Sequence, residues 1–352
     1  MGMENEKKII LKGTPYEIGF QHGEAVKEKI HTSIQTYAKM FEDTAFITWQ
    51  QAIEKAKQHL DAIEKYNSRY LDEMEGLAKG AGVTFEDILA LNARSEIALT
   101  NAPDGCTTFA LSKPKTTKTW LAQNWDWRAS QIDSLVYLQI EQKGLPIIEM
   151  ITEAGIIGKI GCNSAGVGVG LNALITNVWG VKVPIHLGLR AILESTSLKE
   201  AVKKVDHNQM ASPAHFMIAS AAEGMVSMEV SPIQTDTIQT VNGMLTHTNH
   251  LCSANMLKLI QETPIPDSTS RLETIDRLVE GIDKRDLTAD DFFHVLANHE
   301  GYPSSICRHP DPTQPIQMQT RTVFSIAMNL TDRKLTWLKG NPCEHGYGEG
   351  RP

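Results

Sequence analysis

The chain has 352 residues, of which 41% are hydrophobic and 22% charged, and its formal net charge is -8. This length suits one large domain or two ordinary ones, and the composition is typical of a globular enzyme. The acidic balance argues against a nucleic-acid-binding protein, which usually has a basic excess or a basic stripe. No window reaches the roughly 18 consecutive apolar residues of a membrane span, and the polar start is not a secretory signal, so we expect a cytoplasmic protein.

The first hundred residues have mostly helical spacing. Apolar residues from Tyr16 to about Phe41 recur at three- and four-residue steps, after Thr14 as a helix cap and Pro15 in the first turn. Further helices are predicted at about 49–63, 70–80 and 85–99, the last with Thr84 and Asp87 in a capping-box arrangement. Turn-forming residues at 101–105 (NAPDG) then end the helical region.

After residue 105 the pattern changes to short β-strands. The predicted strands are 106–112, 118–125, 134–141, 146–152, 155–161, 166–171, 214–220, 225–230, 235–239, 243–247, 322–329 and 334–338. Helices are predicted at 183–195, 198–205 and 268–299, with Thr288 as a cap, and loops at 299–320 and 340–352. Two groups of strands with helices outside them favour a layered sandwich of sheets and helices.

Five cysteines are spread singly along the chain, at 106, 162, 252, 307 and 343. The odd number and the wide spacing predict neither a disulfide framework nor a zinc ribbon. In a reducing compartment, one cysteine with special surroundings is a candidate nucleophile, and the others are more typical of small apolar core residues.

The step from Gly105 to Cys106 is chemically suited to cutting its own chain. The thiol can attack the preceding carbonyl in an N-to-S acyl shift, and hydrolysis of the thioester frees an α-amino group on Cys106. That amine has an unperturbed pKa of about 7.7–8.0, so it can act as general base for its own thiol. Gly105 tolerates the strained backbone that the shift needs. The pattern alone still favours the alternative, a buried strand residue after an ordinary turn, because Gly-Cys steps are common.

Three motifs in this order change that balance: residues 13–23 (GTPYEIGFQHG), 104–108 (DGCTT) and 123–127 (QNWDW). Together they closely resemble the acyl-coenzyme A:6-aminopenicillanic acid acyltransferase family (peptidase C45) of the N-terminal-nucleophile (Ntn) hydrolases, and the likeness runs the whole length. The resemblance implies an α+β fold, a four-layer αββα sandwich. It also implies a cut after Gly105, into a mainly helical fragment (1–105) and a strand-rich fragment (106–352) that together form one domain.

The resemblance assigns roles to individual residues. Cys106 matches the nucleophile and, with Gly105, the autocleavage site. Asp126 matches the acid that holds the N-terminal amine, and Asn249 matches an asparagine whose side-chain amide helps to form the oxyanion hole. Asn172 and Arg321 match substrate-pocket residues of related bile-salt and penicillin V acylases. The alternatives stay open: a solvated acid at a strand end, a turn-forming asparagine, and loop-positioning or surface residues.

Gln123 departs from the pattern of those acylases, which place an arginine three residues before the conserved acid. Glutamine there agrees better with the acyltransferase branch and argues against a bile-salt hydrolase. We therefore expect an enzyme that forms an acyl-thioester on Cys106 and passes the acyl group to an amine or to water. A purely hydrolytic amidase is the alternative within enzymes, and a non-catalytic binding protein on the same fold is the alternative outside them.

The expected partners are a small-molecule acyl donor (an N-acyl amide or acyl-coenzyme A) and an amine or water acceptor, with no nucleic acid and no membrane; a homo-oligomer is left open. His247 and His250, and the clusters at 307–309 (CRH) and 343–345 (CEH), offer metal-ligand types. The histidine pair follows a strand rather than lying on a helix, and no Cys-x-x-Cys pair supports it. We predict no metal site and no cofactor. Loops around Asn172, Trp179 and 299–320 are expected to shape the pocket.

Overall fold

The computed structural model describes residues 7–98, 105–263 and 265–348. Its helices are α1 (Pro15–Ala25), α2 (Lys27–Ala45), α3 (Trp49–Lys57), α4 (Leu60–Asn67), α5 (Arg69–Ala81), α6 (Phe85–Asn92), α7 (Arg94–Ala98), α8 (Ile185–Leu193), α9 (Leu198–Val205), α10 (Ala254–Leu257), α11 (Ser268–Glu280) and α12 (Ala289–Leu296). Its strands are β1 (Lys8–Lys12), β2 (Thr107–Leu111), β3 (Trp120–Arg128), β4 (Leu135–Glu141), β5 (Ile148–Glu153), β6 (Ile160–Asn163), β7 (Val167–Ala173), β8 (Ala214–Ser220), β9 (Gly224–Val230), β10 (Asp236–Ile238), β11 (Met244–His247), β12 (Thr320–Asn329) and β13 (Lys334–Lys339). Across these described ranges, no helix has the length and apolar character needed to cross a membrane.

The described strands form two sheets. Sheet A has eight strands in the order β1-β4-β5-β6-β7-β8-β9-β10, and sheet B has five in the order β11-β2-β3-β12-β13. Neighbouring strands run antiparallel except β1 and β4, which are parallel. The central strands β2 and β3 of sheet B contact β7 and β8 of sheet A, so the two sheets pack face to face.

The pleat of β3 separates two cores. Leu121 and Trp125 point into the core between the sheets, whereas Trp120 and Ala122 point to a second core, which α11 and α12 cover from outside sheet B. On the other side, α8 contacts β6 and β7, and α9 contacts β8 and β9. The order of layers is therefore helices, sheet B, sheet A, helices. The predicted four-layer αββα sandwich is confirmed.

The prediction missed β1. The apolar run Ile9–Leu11 pairs in parallel with Leu138–Ile140 of β4, a partner far along the chain that no local pattern reveals. As a result, the edge strand of sheet A comes from the predicted 1–105 fragment and its neighbours come from the 106–352 fragment. The division at residue 105 itself stays a prediction, since residues 101–104 of the expected turn lie outside the described residues.

Several other predicted elements have the wrong bounds. The helices expected at 49–63 and 85–99 are each two helices, because the first breaks after Lys57 and the second at Ala93. The helix expected from Tyr16 to Phe41 is interrupted at Val26, whose backbone (φ -134°, ψ 32°) is not helical. The strand expected at 155–161 begins only at Ile160, because Gly155 takes a left-handed turn conformation (φ +96°). The helical segment expected at 268–299 is two helices, and the first ends before Gly281.

Candidate active site

Cys106 directly precedes β2, and its side chain is buried in the core between the two sheets. Its backbone carbonyl oxygen accepts two hydrogen bonds from buried side chains: one from Arg271 Nη1 at 2.8 Å and one from Asn172 Nδ2 at 3.1 Å. A carbonyl held by two donors has little freedom to rotate. The backbone at the start of β2 is therefore held in one orientation.

A histidine fixes the orientation of the Asn172 amide on β7. His215 Nδ1 lies 2.8 Å from Asn172 Oδ1, and His215 Nε2 lies 2.8 Å from Ser227 Oγ. Burial, reinforced by the charge of His247, lowers the pKa of His215 well below its ordinary value. The neutral ring then donates from Nδ1 to Asn172 and accepts from the Ser227 hydroxyl at Nε2. This arrangement directs Asn172 Nδ2 to donate to the Cys106 carbonyl at 3.1 Å and to the His247 carbonyl at 3.4 Å.

His247, at the end of β11, stacks on His215 with ring centroids 3.6 Å apart and planes 6° from parallel. Its Nε2 lies 2.9 Å from Glu229 Oε1 and its Nδ1 lies 2.8 Å from the Thr248 carbonyl oxygen. Burial alone would lower the pKa of His247, but hydrogen bonds to Cys252 and Glu229 outweigh it and raise the pKa to about 10. Both ring nitrogens of His247 therefore donate hydrogen bonds, and the charged ring of His247 stacks on the neutral ring of His215.

Arg271, near the start of α11, joins Asn249 to Cys106. Arg271 Nη2 donates to Asn249 Oδ1 at 3.0 Å, while Nη1 donates to the Cys106 carbonyl. Asn249 Nδ2 donates to the Ala173 carbonyl at 3.1 Å, and its backbone N–H donates to Ser268 Oγ at 2.8 Å. The orientation of the Asn249 amide is thus set from both ends. Its NH₂ group carries two hydrogens, of which Ala173 takes one.

Asp126 is buried on β3 opposite Thr322 of β12. Thr322 Oγ1 donates to Asp126 Oδ1 at 2.7 Å, and Arg308 Nε lies 3.4 Å from Asp126 Oδ2. The Arg308 guanidinium also donates to Asp267 Oδ2, which Arg271 Nε binds at 2.6 Å. Burial alone would raise the pKa of Asp267, but the charges of Arg271 and Arg308 outweigh it and hold the pKa below its ordinary value. Two acids and two arginines therefore form a balanced ionic chain, which we call the outer cluster (Asp126, Asp267, Arg271 and Arg308).

Gly105 lies directly against the Arg308 guanidinium. A Cβ atom placed on Gly105 would be 2.2 Å from Arg308 Nε and 2.6 Å from its Cζ. No real Cβ tolerates such a contact, so any side chain at position 105 would displace the arginine. Glycine therefore lets a permanent positive charge approach the residue on the N-terminal side of Cys106.

A second buried charge cluster lies on the other face of β3. Lys159 Nζ is 2.9 Å from Glu153 Oε2 and 3.8 Å from the ring centroid of Trp125, and Arg94 Nε is 3.2 Å from Glu153 Oε1. Burial and the charge of Arg94 lower the pKa of Lys159 to about 8, against the opposing effect of Glu153. Cys106 also interacts electrostatically with Lys159. We call Arg94, Glu153 and Lys159 the inner cluster; it has two basic groups and one acid.

The structure brings five of the six predicted site residues together, all except Arg321. Asn172 contacts Cys106 directly, Asn249 reaches it through Arg271, and Asp126 reaches Gly105 through Arg308. Sequence reasoning missed both arginines. Arg271 follows Asp267 by four residues, a spacing that indicates a helical ion pair. Arg308 lies in a loop where no local pattern marks it.

Arg321 lies apart from this network. Its Nη2 binds Asn341 Oδ1 and lies 2.8 Å from Glu344 Oε2, next to the C-terminal 3-10 helix Pro342–His345. Its predicted part in substrate binding stays a prediction.

Gln123 joins the two sheets. Its Oε1 accepts from the Leu171 backbone N–H at 2.9 Å, and its Nε2 donates to the Leu171 carbonyl oxygen. An arginine has only donors and could not accept from Leu171. The departure from the acylase pattern at this position therefore corresponds to a specific contact between β3 and β7.

The segments expected to shape the pocket are scattered. Trp179 is 45% exposed, with its ring edge-on to His59 at a centroid distance of 5.8 Å. From the 299–320 loop, Ile316 and Gln319 line a groove of about 570 Å³ that also contacts Arg128. Of the three segments, the one at Asn172 lies at Cys106, and the 299–320 loop reaches Gly105 through Arg308 while its later part lies near the end of β3.

The four-layer sandwich and the buried cysteine at the head of an inner strand define an Ntn-type enzyme that acts on amide or acyl bonds. The chain belongs to the acyl-coenzyme A:6-aminopenicillanic acid acyl-transferase family, whose profile matches residues 112–344. It is 38% identical over 343 residues to the 40 kDa form of acyl-coenzyme A:6-aminopenicillanic-acid-acyltransferase of Emericella nidulans, with 95% of this chain and 92% of that protein covered. The resemblance read from the three motifs is confirmed.

Two solved structures are more distantly similar. A mutant of the conjugated bile acid hydrolase from Clostridium perfringens has a TM-score of 0.47 and 14% identity, covering 66% of this chain and 89% of its own. Penicillin V acylase from Agrobacterium tumefaciens has a TM-score of 0.37 and 12% identity, covering 66% and 83%.

Proposed function

We propose that this protein is a self-processing cysteine acyltransferase. It cuts its own chain between Gly105 and Cys106, forms an acyl-thioester on Cys106, and transfers the acyl group to a small amine. One observation carries the proposal: buried side chains hold both sides of the Gly105–Cys106 bond. Arg271 and Asn172 bind the Cys106 carbonyl, and Arg308 lies against Gly105.

The cut begins when Cys106 Sγ attacks the Gly105 carbonyl carbon. The peptide C–N bond breaks, the nitrogen of Cys106 keeps the electron pair and takes a proton, and a thioester joins Gly105 to Sγ. Water then hydrolyses the thioester, which leaves a carboxylate on Gly105 and a free thiol and α-amine on Cys106. Negative charge develops at Gly105 in both steps, and the Arg308 guanidinium beside it stabilises that charge.

The new α-amine is the general base of the mature enzyme. It takes the proton from Sγ as the thiolate attacks an acyl donor, and the resulting ammonium is stabilised by the buried carboxylate of Asp126. When the donor's C–S or C–N bond breaks, the ammonium returns this proton to the leaving group, which departs as a free thiol or amine and leaves the acyl group on Sγ. The hydrogen of Asn249 Nδ2 that Ala173 does not take serves the oxyanion of the tetrahedral intermediate. An amine that attacks the acyl-thioester leaves with the acyl group as an amide, and water in its place gives the free acid.

The substrates follow from the acyltransferase of Emericella nidulans, which is 38% identical. The donor is an acyl-thioester such as acyl-coenzyme A, and the acceptor is a small primary amine of the class of 6-aminopenicillanic acid. Use of water as acceptor would make the protein an amidohydrolase, with an N-acyl amide as donor. The proposal places the reaction in the cytoplasm and leaves a homo-oligomer open.

The two fragments stay associated after the cut. β1, from the first fragment, forms a parallel ladder with β4 of the second, and Lys29 Nζ of α2 donates to the Leu135 carbonyl at 2.8 Å. Tyr37 of α2 donates to Glu153 in the buried inner cluster. Separating the fragments would expose this cluster and the core around it, at a large cost in free energy.

Intact-mass spectrometry of the purified protein tests self-cleavage. The wild type and a control variant, Cys162→Ala, should give two species, residues 1–105 and 106–352. Cys162 is a buried cysteine on β6, so its replacement matches the change in the core without touching the scissile bond. Cys106→Ala should remain one uncut chain. Two normal fragments from Cys106→Ala would refute the assignment.

Product analysis then separates the functions. Processed protein is incubated with an acyl-thioester, with and without a small primary amine, and the products are identified by mass spectrometry. An acyltransferase gives an amide that increases with amine concentration. Free acid at every amine concentration would identify a hydrolase, and a cut chain without turnover of any thioester or amide would identify a binding protein.

A further inference from the structure

Four side chains with the chemistry of zinc ligands meet where the loop after α12 contacts the C-terminal 3-10 helix Pro342–His345. They are His299, Cys307, His309 and Cys343, and their ligand atoms all lie within 4.8 Å of one another. We propose that these four residues bind one structural Zn²⁺ ion. Metal binding at this place is independent of the proposed acyl transfer.

Four of the six distances between the ligand atoms match a tetrahedral site, and the other two are below 4.8 Å. Cys307 Sγ and Cys343 Sγ are 3.7 Å apart, His299 Nε2 and His309 Nε2 are 3.1 Å apart, and the two sulfurs lie 3.7 and 3.5 Å from His309 Nε2. With Zn–S bonds of about 2.3 Å and Zn–N bonds of about 2.0–2.1 Å, a regular tetrahedron has S···S near ~3.8 Å, S···N near ~3.6 Å and N···N near ~3.3 Å. One ion at the centre would reach all four atoms with small shifts.

The surroundings of Cys307 also suit a metal-bound thiolate. Asn341 Nδ2 donates to Cys307 Sγ at 3.3 Å and to the Arg308 carbonyl at 2.7 Å. Such a donor to a ligand atom is the kind of outer contact that orients ligands in metal sites. A disulfide between Cys307 and Cys343 would need the sulfurs at about 2.05 Å, and it would leave the two histidine nitrogens facing each other.

The site closes a loop onto the end of the chain. All four positions are filled by protein side chains, which is typical of a structural rather than a catalytic zinc. Arg308 lies between two of the ligands in sequence, so the ion would hold the loop that carries the guanidinium to Gly105 and Asp126. This consequence for Arg308 rests on the proposed function; the binding of zinc does not.

The sequence predicted no metal because the ligands share no compact motif. Cys307 and His309 come from one loop, His299 from its start, and Cys343 from a helix beyond two strands. In the 343–345 cluster, only Cys343 belongs to the group of four ligands. His345 Nε2 lies 2.8 Å from the Lys339 carbonyl oxygen instead.

Metal analysis of the full chain tests the site. Protein is expressed with zinc in the medium, freed of loose metal by gel filtration, and measured by inductively coupled plasma mass spectrometry. The wild type should carry about one zinc per chain, and Cys343→Ser should lose it. Cys252→Ser is the control, since Cys252 lies in a separate group with Glu229 and His247 and should not affect the zinc content. If Cys252→Ser lost the zinc and Cys343→Ser kept it, the assignment would be overturned.

Two further measurements distinguish the loss of a zinc ligand from the loss of zinc through misfolding. Cys343→His keeps four ligands and should retain the metal where Cys343→Ser does not. Co²⁺ added to chelator-stripped wild type should give the visible absorption of a tetrahedral thiolate complex. A wild type without zinc and without this absorption, or a mapped Cys307–Cys343 disulfide, would refute the proposal. None of these readouts depends on cleavage or turnover, so the zinc site and the enzyme can fail separately.

Discussion

Two buried charge clusters flank Cys106, one toward each face of β3. The outer cluster faces α11 and the loop after α12, and the inner cluster faces the core between the sheets, because neighbouring residues on a strand point to opposite faces. Asp126 belongs to the first, while Trp125 and Trp127 border the second. The clusters differ in charge balance and in what they bind.

The outer cluster balances two acids with two arginines; Arg271 donates to the Cys106 carbonyl, and Arg308 lies against Gly105. Its main effect is to hold groups in place. The inner cluster has one acid for two basic groups, and the pKa of Lys159 falls to about 8 as a result of burial and the charge of Arg94. A surplus cation near Cys106 stabilises negative charge there. The outer cluster therefore acts mainly by holding groups in position, and the inner cluster acts mainly through its net positive charge.

The largest expected effect is on stability, from Glu153→Gln. The change leaves Arg94 and Lys159 buried without their shared carboxylate, and removing one partner from a buried ion pair typically costs about 3–5 kcal/mol. Asp267→Asn in the outer cluster should cost less, because that side chain is 19% exposed and the two arginines keep other acceptors. Urea unfolding of both variants measures the difference. A larger loss for Asp267→Asn would contradict the comparison.

Glu153→Gln also tests how the free energy of unfolding depends on pH. Burial alone would raise the pKa of Glu153, but Arg94 and Lys159 outweigh it and lower the pKa from 4.5 to about 2. A carboxyl with a depressed folded pKa contributes stability that is present above pH 4.5 and lost as the pH falls toward 2. The difference in free energy of unfolding between wild type and Glu153→Gln should therefore shrink over that interval. A constant difference would show that Glu153 is not ionised in the folded protein.

The next largest effect is on turnover, from Asn249→Ala. Loss of one oxyanion-hole donor typically lowers the rate by about 10²–10³. The control is Asn255→Ala, an exposed asparagine on α10 whose side chain contacts Asp236. We expect a lowered melting temperature for Asn249→Ala, because Arg271 Nη2 and the Ala173 carbonyl each lose a buried hydrogen bond, together with a reduced kcat of the processed enzyme. Neither quantity should change for the control. Near-normal turnover of Asn249→Ala would remove this residue from the oxyanion hole.

The smallest effect on the reaction rate is expected from Lys159→Met, which removes the surplus cation of the inner cluster. Acylation should slow by about tenfold at neutral pH, equivalent to ~1.4 kcal/mol of electrostatic stabilisation. Because the pKa of Lys159 is about 8, wild type loses the same charge as the pH rises through 8, so the two rates should converge there. Lys182→Met, which removes an amine bound to the Asn208 and Pro232 carbonyls, is the control. Rates that stay apart above pH 8 would exclude a charge effect.

Much of the helical architecture could be predicted from the sequence because helix starts depend on near neighbours. The structure confirms Thr14, Thr84 and Thr288 as helix N-caps and the capping box predicted at Thr84, and it shows a capping box at the other two as well. A strand at 118–125 was also predicted, because a strand pattern needs no distant partner, but β3 runs on to Arg128 and so carries the whole QNWDW motif. The site was placed largely by motif resemblance, which identified Cys106 and the asparagines that surround it.

The sequence by itself determined the class of fold and the family, and it predicted Cys106 as the cysteine on which the proposed chemistry depends. Only the tertiary structure brought Arg271 and Arg308 to Cys106 and Gly105, placed β1 beside β4, and gathered His299, Cys307, His309 and Cys343 around one point. The reason is the same in each case. These contacts join residues that lie far apart in the chain, and their geometry is set by the packing of the two sheets and their helices rather than by any local pattern.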